Sequence, residues 1–285
     1  MKHFEMDQST DIAWCPGCGN FSIRKVLIET LQEMDLNPTQ VVMASGIGQA
    51  AKMPQYINTN YFNGLHGRGL PVAVAIKAAN PHLTVIAEGG DGDMYGEGGN
   101  HFIHNVRRNP DIVHIVHDNM VYGLTKGQAA PTSPLEFKTP VQVNGVINDP
   151  INPLPVAMTL GATFVARAFS GDMEGLKKIL KAAFDHEGYA LVDVLHPCVT
   201  FNKVNTFKWY KEHSYPLEEG YDSSDFESAM KKALDTDKFA LGVIYQNKNK
   251  VSFNNRTWLY QQNDTPIVQR KRDIDKVNAL LKIEA

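Results

Sequence analysis

The sequence is poor in cysteine: its 285 residues include three, Cys15, Cys18 and Cys198. Three is an awkward number for a metal or cluster site, for a redox dithiol, and for a turn that merely holds thiols. Long apolar runs are also missing. None reaches the roughly 18 residues of a candidate membrane span, so no membrane association is expected. The opening stretch MKHFEMDQST carries no hydrophobic segment, so a signal peptide is not expected and the expected location is cytoplasmic. In that compartment thiols stay reduced, and a Cys-x-x-Cys pair reads as metal-binding or catalytic rather than as a structural disulfide. Excess positive charge is absent: the net charge is -3, which leaves no basic stripe for nucleic acid. Internal repeats and low-complexity tracts are absent as well. What remains is ordinary globular composition, 43% hydrophobic and 21% charged, enough for one large domain or one domain with an extension.

Residues 21–34 (FSIRKVLIETLQEM) place apolar side chains at helical spacing, and Asn20 is positioned to cap them. VVMAS at 41–45 is a short buried strand ending at Gly46. LPVAVAIKAAN at 70–80 reads as a helix with Pro at its second position, and LTVIAEGGDGD at 83–93 as a strand running into a glycine-rich loop. Residues 97–108 read as helix, 111–119 as a buried strand, 155–160 as a short helix, 163–169 as a strand, 173–186 as a helix and 189–195 as a strand. Alternating strands and helices predict an α/β fold: a mainly parallel sheet with helices on both faces. Ligands of such sheets sit beyond the carboxyl ends of the strands, which here means the loops 46–49, 89–93 and 118–128. After Cys198 the pattern weakens into Lys-, Asn- and Asp-rich sequence with one helix near 224–234. Two parts are therefore expected, an α/β domain over 1–205 and a C-terminal extension over 206–285.

The most informative stretch is EGGDGDMYGEGGN at 88–100. Gly90 and Gly92 flank Asp91 just after an apolar strand. Glycines there let backbone N–H groups approach a phosphate. A carboxylate beside a phosphate repels it unless a cation lies between them, and Mg2+ takes hard oxygen ligands shared with phosphates. Asn119, just after the next strand, can offer a side-chain carbonyl to the same ion. Alone, a GDG triplet is equally a tight surface turn; the Asn one strand–helix–strand unit later argues against the turn.

This pattern resembles the diphosphate-binding half of thiamine diphosphate enzymes. The surroundings narrow the likeness. CPGCGN (15–20), SGIG (45–48), GLHGR (64–68), GGDGD (89–93), GGNHFIHNVRRN (98–109), DNMVYGLTKGQ (118–128) and PCVTFNK (197–203) are similar, in order, to the beta subunit of 2-oxoacid:ferredoxin oxidoreductases. The resemblance implies that Asp91 and Asn119 hold Mg2+ by their side chains and Val121 by its carbonyl. It implies that Gly90, Gly92, Asp93, Gly123, Leu124 and Thr125 line the diphosphate and that His66 contacts phosphate, although alone a His in a glycine-rich loop is an ordinary surface residue. It places Ile47, between Gly46 and Gly48, against the cofactor rings. Lys126 becomes the candidate catalytic residue, stabilising a substrate carboxylate or coenzyme A; a solvated loop lysine is the plain alternative.

The same resemblance implies the reaction: oxidative decarboxylation of a 2-oxoacid to an acyl-CoA and CO2, with electrons passed through an iron–sulfur cluster to ferredoxin. No acidic residue here is an obvious partner for the aminopyrimidine, so a separate alpha subunit supplies the pyrimidine-binding half, in an alpha-beta or alpha2beta2 assembly. Among substrates, 2-oxoglutarate is slightly favoured over pyruvate and branched-chain acids. Family members hold a four-iron cluster with four cysteines. Cys15, Cys18 and Cys198 match three, and Gln49 stands where the fourth is expected. Three readings stay open: a cluster on three cysteines plus an unusual ligand, with His196 one possibility; a zinc site or remnant, with the cluster elsewhere; or a dithiol. A non-oxidative thiamine diphosphate decarboxylase or synthase subunit is the alternative function.

Overall fold

The structure, a computed structural model, describes residues 3–7 and 9–283. Eight strands form one sheet: β1 (Val41–Ser45), β2 (Asn60–Asn63), β3 (Thr84–Gly90), β4 (Ile112–Asp118), β5 (Phe164–Phe169), β6 (Tyr189–Leu195), β7 (Ser214–Pro216) and β8 (Phe239–Gln246). Their spatial order is β2-β1-β3-β4-β6-β5-β8-β7. Every neighbouring pair is parallel except β5 and β8, which run antiparallel with a register shift between Val165 and Ala166.

The central strands are buried on both faces, as parallel strands covered by helices must be. Successive side chains alternate between the faces. Met43, Ile86, Ile115 and Val192 join the core under α1 (Asn20–Glu33), while Ala44, Val85, Val116 and Leu191 join the opposite core under α2 (Gly69–Ala79) and α3 (Gly99–Arg108). α4 (Pro153–Thr159) covers the second face, and α5 (Met173–Phe184) packs beside α1 on the first. Among the described residues no helix is long and apolar enough to cross a membrane.

Several expectations are revised. Gly19, not Asn20, is the N-cap of α1 and makes no side-chain cap bond. Asn20 is buried, and its Oδ1 lies 2.8 Å from Nδ1 of His117. The strand within 83–93 runs to Gly90 as expected, but the glycine-rich segment after it is no open loop: residues Gly92–Glu97 form a π-helical turn before α3. Residues after 205 hold more than the expected helix. Besides α6 (Phe207–Glu212) and α7 (Phe226–Leu234), they contribute β7 and β8 to the edge of the same sheet.

His114, on β4, is fully buried, with Nδ1 at 2.6 Å from the Tyr189 hydroxyl. Burial pulls its pKa down to about 3. The unfolded chain therefore binds a proton below about pH 6.5 that the folded chain refuses. Stability from neutral His114 is complete above that value and is lost as the pH falls towards about 3. His114→Gln should flatten the acid limb of stability against pH by up to about one proton's slope. Urea melts of both proteins across the window test this, and identical slopes would rule it out.

Candidate cofactor site

β1, β3 and β4 lie side by side, and their carboxyl ends release the loops that begin at Gly46, Asp91 and Asn119. The three loops converge on one cavity of about 70 Å³. Ile47, Gly48, His66, Gly90, Asp91, Gly92, Asp93, Asn119, Val121, Gly123, Leu124 and Thr125 line it, together with Gln49, Ala50 and Tyr122. Gly46 and Lys126 do not. Gly46 backs onto Asp93, whose Oδ2 would stand 2.2 Å from a Cβ added there. Lys126 is exposed at the tip of a hairpin closed by Tyr122 N–H donating to Gln128 O at 2.9 Å, and has a left-handed φ of 69°.

Asp91 is 2% exposed, and its Oδ2 accepts a hydrogen bond from Thr132 Oγ1. Burial pushes its carboxyl up to about 6. Behind it lie two more buried carboxyls. Burial, reinforced by Asp193 and Asp91, holds Asp118 well above the usual range. Asp193 is raised chiefly by burial, although Arg167 Nε at 3.2 Å and the Tyr95 hydroxyl at 2.9 Å both stabilise its charge. Arg167 offsets the charge of Asp193 and Asp118, and a divalent cation at Asp91 would relieve the remaining repulsion in the cluster. Tyr95→Phe should cost about 1–2 kcal/mol of stability by leaving Asp193 one donor short. Denaturant midpoints would show it, and an unchanged midpoint would discount the bond.

Asp93 is also 2% exposed. Its Oδ1 accepts from Gly67 N–H at 2.7 Å and Ile47 N–H at 3.1 Å, and His66 Nδ1 is 2.8 Å away. One carboxylate therefore ties the GLHGR turn to the loop that presents Ile47. Asn119 closes a turn in which its Oδ1 accepts from Val121 N–H at 3.0 Å. Between them Met120 takes a left-handed φ of 58°, and Ser133 Oγ donates to its carbonyl at 2.6 Å. For a residue with a Cβ that backbone costs about 1–2 kcal/mol, so the loop's shape is imposed by its surroundings. Tyr122 lies against Gly92, where a Cβ would meet its ring at 2.1 Å, and its hydroxyl donates to Gly92 O at 3.2 Å and to Glu97 at 2.8 Å. A cradle of glycines, oxygen donors and a buried carboxylate fits a diphosphate–Mg2+ group.

The cysteines form a neighbouring feature. Cys18 N–H donates to Cys15 O at 3.0 Å, Gly19 packs on the His196 ring, and Gly17 faces Val199 beside Cys198. Cys15 is exposed and the other two are half-buried. Burial, with Cys198 and Cys15 nearby, pushes the Cys18 thiol up to about 11. His196 is buried, with neither ring nitrogen hydrogen-bonded among the described residues, and burial pulls its pKa down to about 3. Among the described residues no three His, Cys, Asp or Glu side chains are grouped closely enough to hold a metal ion. Trp14 joins this feature to the cavity: its Nε1–H donates to Gln49 O at 2.8 Å.

Residues 39–194 match the family model of the C-terminal TPP-binding domain of thiamine pyrophosphate enzymes, and residues 198–262 match that of the C-terminal part of the pyruvate ferredoxin oxidoreductase beta subunit. The 2-oxoacid:ferredoxin oxidoreductase 2 beta subunit of Aeropyrum pernix is 42% identical over 257 residues, 86% of this chain and 83% of that one. The chain belongs to the beta subunits of 2-oxoacid:ferredoxin oxidoreductases. The 2-oxoglutarate oxidoreductase subunit KorB of Mycobacterium tuberculosis is 40% identical over 201 residues, covering 70% of this chain and 53% of KorB. A solved 2-oxoglutarate:ferredoxin oxidoreductase from Magnetococcus marinus, with 2-oxoglutarate, coenzyme A and succinyl-CoA bound, superposes with a TM-score of 0.90. It is 34% identical, and the match covers 98% of this chain and 94% of that one. As a beta subunit of this family, the chain is part of a multi-subunit enzyme that uses thiamine diphosphate.

Proposed function

We propose that this beta subunit, joined to an alpha subunit in the cytoplasm, converts 2-oxoglutarate and coenzyme A to succinyl-CoA and CO2 while reducing ferredoxin. The observation that carries the reading is the convergence of Asp91 and Asn119 on one glycine-lined cavity at the strand ends. Relatives named for 2-oxoglutarate and the solved enzyme with 2-oxoglutarate bound support the substrate. Asp91, Asn119 and the Val121 carbonyl would hold Mg2+, and the backbone of Gly90, Gly92 and Gly123 would face the diphosphate. Thiamine diphosphate, when bound, supplies an electron sink for the carbon that loses CO2. The chain's own part is to bind and orient. Asp93 fixes the Ile47 loop, and Thr132 holds the Asp91 carboxylate in place. The cavity is small against the roughly 300–1,000 Å³ of ordinary ligand pockets, which supports a site completed by the alpha subunit.

The thiols are proposed to contribute Cys15, Cys18 and Cys198 to an iron–sulfur cluster. Such clusters normally take four thiolates, and this chain offers three. The missing thiolate favours one second reading, a non-oxidative decarboxylase subunit. Anaerobically co-expressed complex, given 2-oxoglutarate, coenzyme A and ferredoxin, should bleach ferredoxin and form acyl-CoA. CO2 release without ferredoxin reduction would favour the second reading, and turnover by this chain alone would contradict the need for an alpha subunit. Lys126→Ala should lower kcat/KM about tenfold, as loss of a charge-assisted contact does, with thiamine diphosphate affinity unchanged. Unaltered kinetics would remove Lys126 from the reaction.

A further inference from the structure

Among the described residues Gln49 and Asn119 are the amide-bearing side chains at the cofactor cavity. It opens the 3-10 stretch Ala50–Tyr56 as its N-cap, yet makes no side-chain capping bond. Its backbone is held from behind by the Trp14 indole. Its side chain runs toward the Asn119 loop, with Cγ 3.8 Å from where a Gly123 Cβ would stand. Its Oε1 is buried and accepts no hydrogen bond among the described residues. Buried carboxamide oxygens are nearly always satisfied, so this one is built for a donor that the chain does not itself supply.

The neighbours define that donor. Asp91 and Asn119, the latter with its Oδ1 accepting from Val121 N–H, line the same cavity, and a further acceptor oxygen there is favourable around a cation and its water. We infer that Gln49 is a positioning residue for the metal–diphosphate group, its Oε1 accepting a hydrogen bond from water carried by the divalent ion. This rests on the thiamine diphosphate reading given above. A cysteine at this position could not do the same, because sulfur is a weak acceptor. The substitution that removes a fourth thiol therefore supplies a hard oxygen on the cofactor side of the same loop.

The test uses the alpha–beta complex, with Mn2+ as the probe at saturating thiamine diphosphate and free Mn2+ read by EPR. Gln49→Leu should raise the Mn2+ dissociation constant about tenfold, the effect typical of losing an outer-shell partner. Gln49→Glu keeps an acceptor at the same reach and should bind Mn2+ at least as tightly as the parent. Unchanged affinity in Gln49→Leu, or weakened affinity in Gln49→Glu, overturns the inference, as does a loss of iron without any change in Mn2+ binding. Should the leucine variant fail to fold, the glutamate variant decides alone. If the parent complex shows no thiamine diphosphate-dependent Mn2+ binding, the functional reading falls and this inference with it. Binding by the parent with indifferent variants removes the inference only.

Discussion

Asp91→Asn should give a complex that folds and assembles but no longer responds to thiamine diphosphate and Mg2+, with turnover reduced by more than about a hundredfold. Outer-shell partners of a metal already cost roughly 10–100-fold when removed, and Asp91 offers the only carboxylate expected to touch the ion itself. The substitution is nearly isosteric, so the Thr132 hydroxyl keeps an oxygen to bond. It also relieves the apoprotein. Burial pushes the Asp91 carboxyl from 3.8 up to about 6, so the metal-free folded state binds its proton more tightly than the unfolded state does. That group's contribution is most favourable below the unfolded value and becomes a penalty as the pH rises through about 6. At neutral pH the asparagine variant without metal should therefore melt no lower than the parent. Adding thiamine diphosphate and Mg2+ should raise the melting temperature of the parent complex, because ligands that bind only the folded state stabilise it, and should leave the variant unmoved. A ligand-induced shift of equal size in the variant would show that Asp91 does not hold the ion.

Asp91 and Asn119 are legible in the sequence because each follows an apolar strand, and consecutive parallel strands deliver their carboxyl ends to one edge of a sheet. The same logic makes β1, β3, β4, β5 and β6 readable. It fails where burial is not written in the pattern. β2, NYFN, is exposed at every residue and carries no alternation. β8 is a half-buried strand containing Gly242 at φ 144°, set in polar sequence that dilutes its apolar signal. Thr132 is 41 residues from Asp91 in sequence, and no local rule connects a loop threonine to that carboxylate. Asn20 reads as a cap because asparagine favours helix starts. The competing attraction is the buried His117 ring, which a sequence does not display. Asp93 reads as a diphosphate-lining residue, and it does line the cavity, but three groups from two other loops gather on one of its oxygens. That clamp makes the turn bearing Gly67 part of the site.

Gly67→Ala should therefore be the most damaging single-methyl change near the cofactor, lowering stability by about 2–5 kcal/mol, the sum of two effects. Gly67 has a φ of 71°, a left-handed backbone that costs a residue with a Cβ about 1–2 kcal/mol. The added Cβ would also stand 2.4 Å from the Glu97 carbonyl carbon and 2.5 Å from the Gly98 nitrogen. Those are backbone atoms at the junction of the π-helical turn and α3, where no rotamer change can give way, and overpacking of this kind costs about 1–3 kcal/mol. Relief requires the GLHGR turn to withdraw, which lengthens the Gly67 N–H bond to Asp93 and loosens the clamp on Ile47. Cofactor affinity should fall together with the melting temperature. Gly99→Ala is the matched control: it lies nearby in the first turn of α3, its Cβ would meet nothing within 4 Å, and its φ is not left-handed. That change should be neutral or stabilising by up to about 1 kcal/mol, through a smaller loss of chain entropy. Thermal melts of the two variant complexes, with and without thiamine diphosphate, separate the outcomes. Equal melting temperatures for Gly67→Ala and the parent would mean that the turn can move freely, and that Asp93 does not couple it to the cofactor loops.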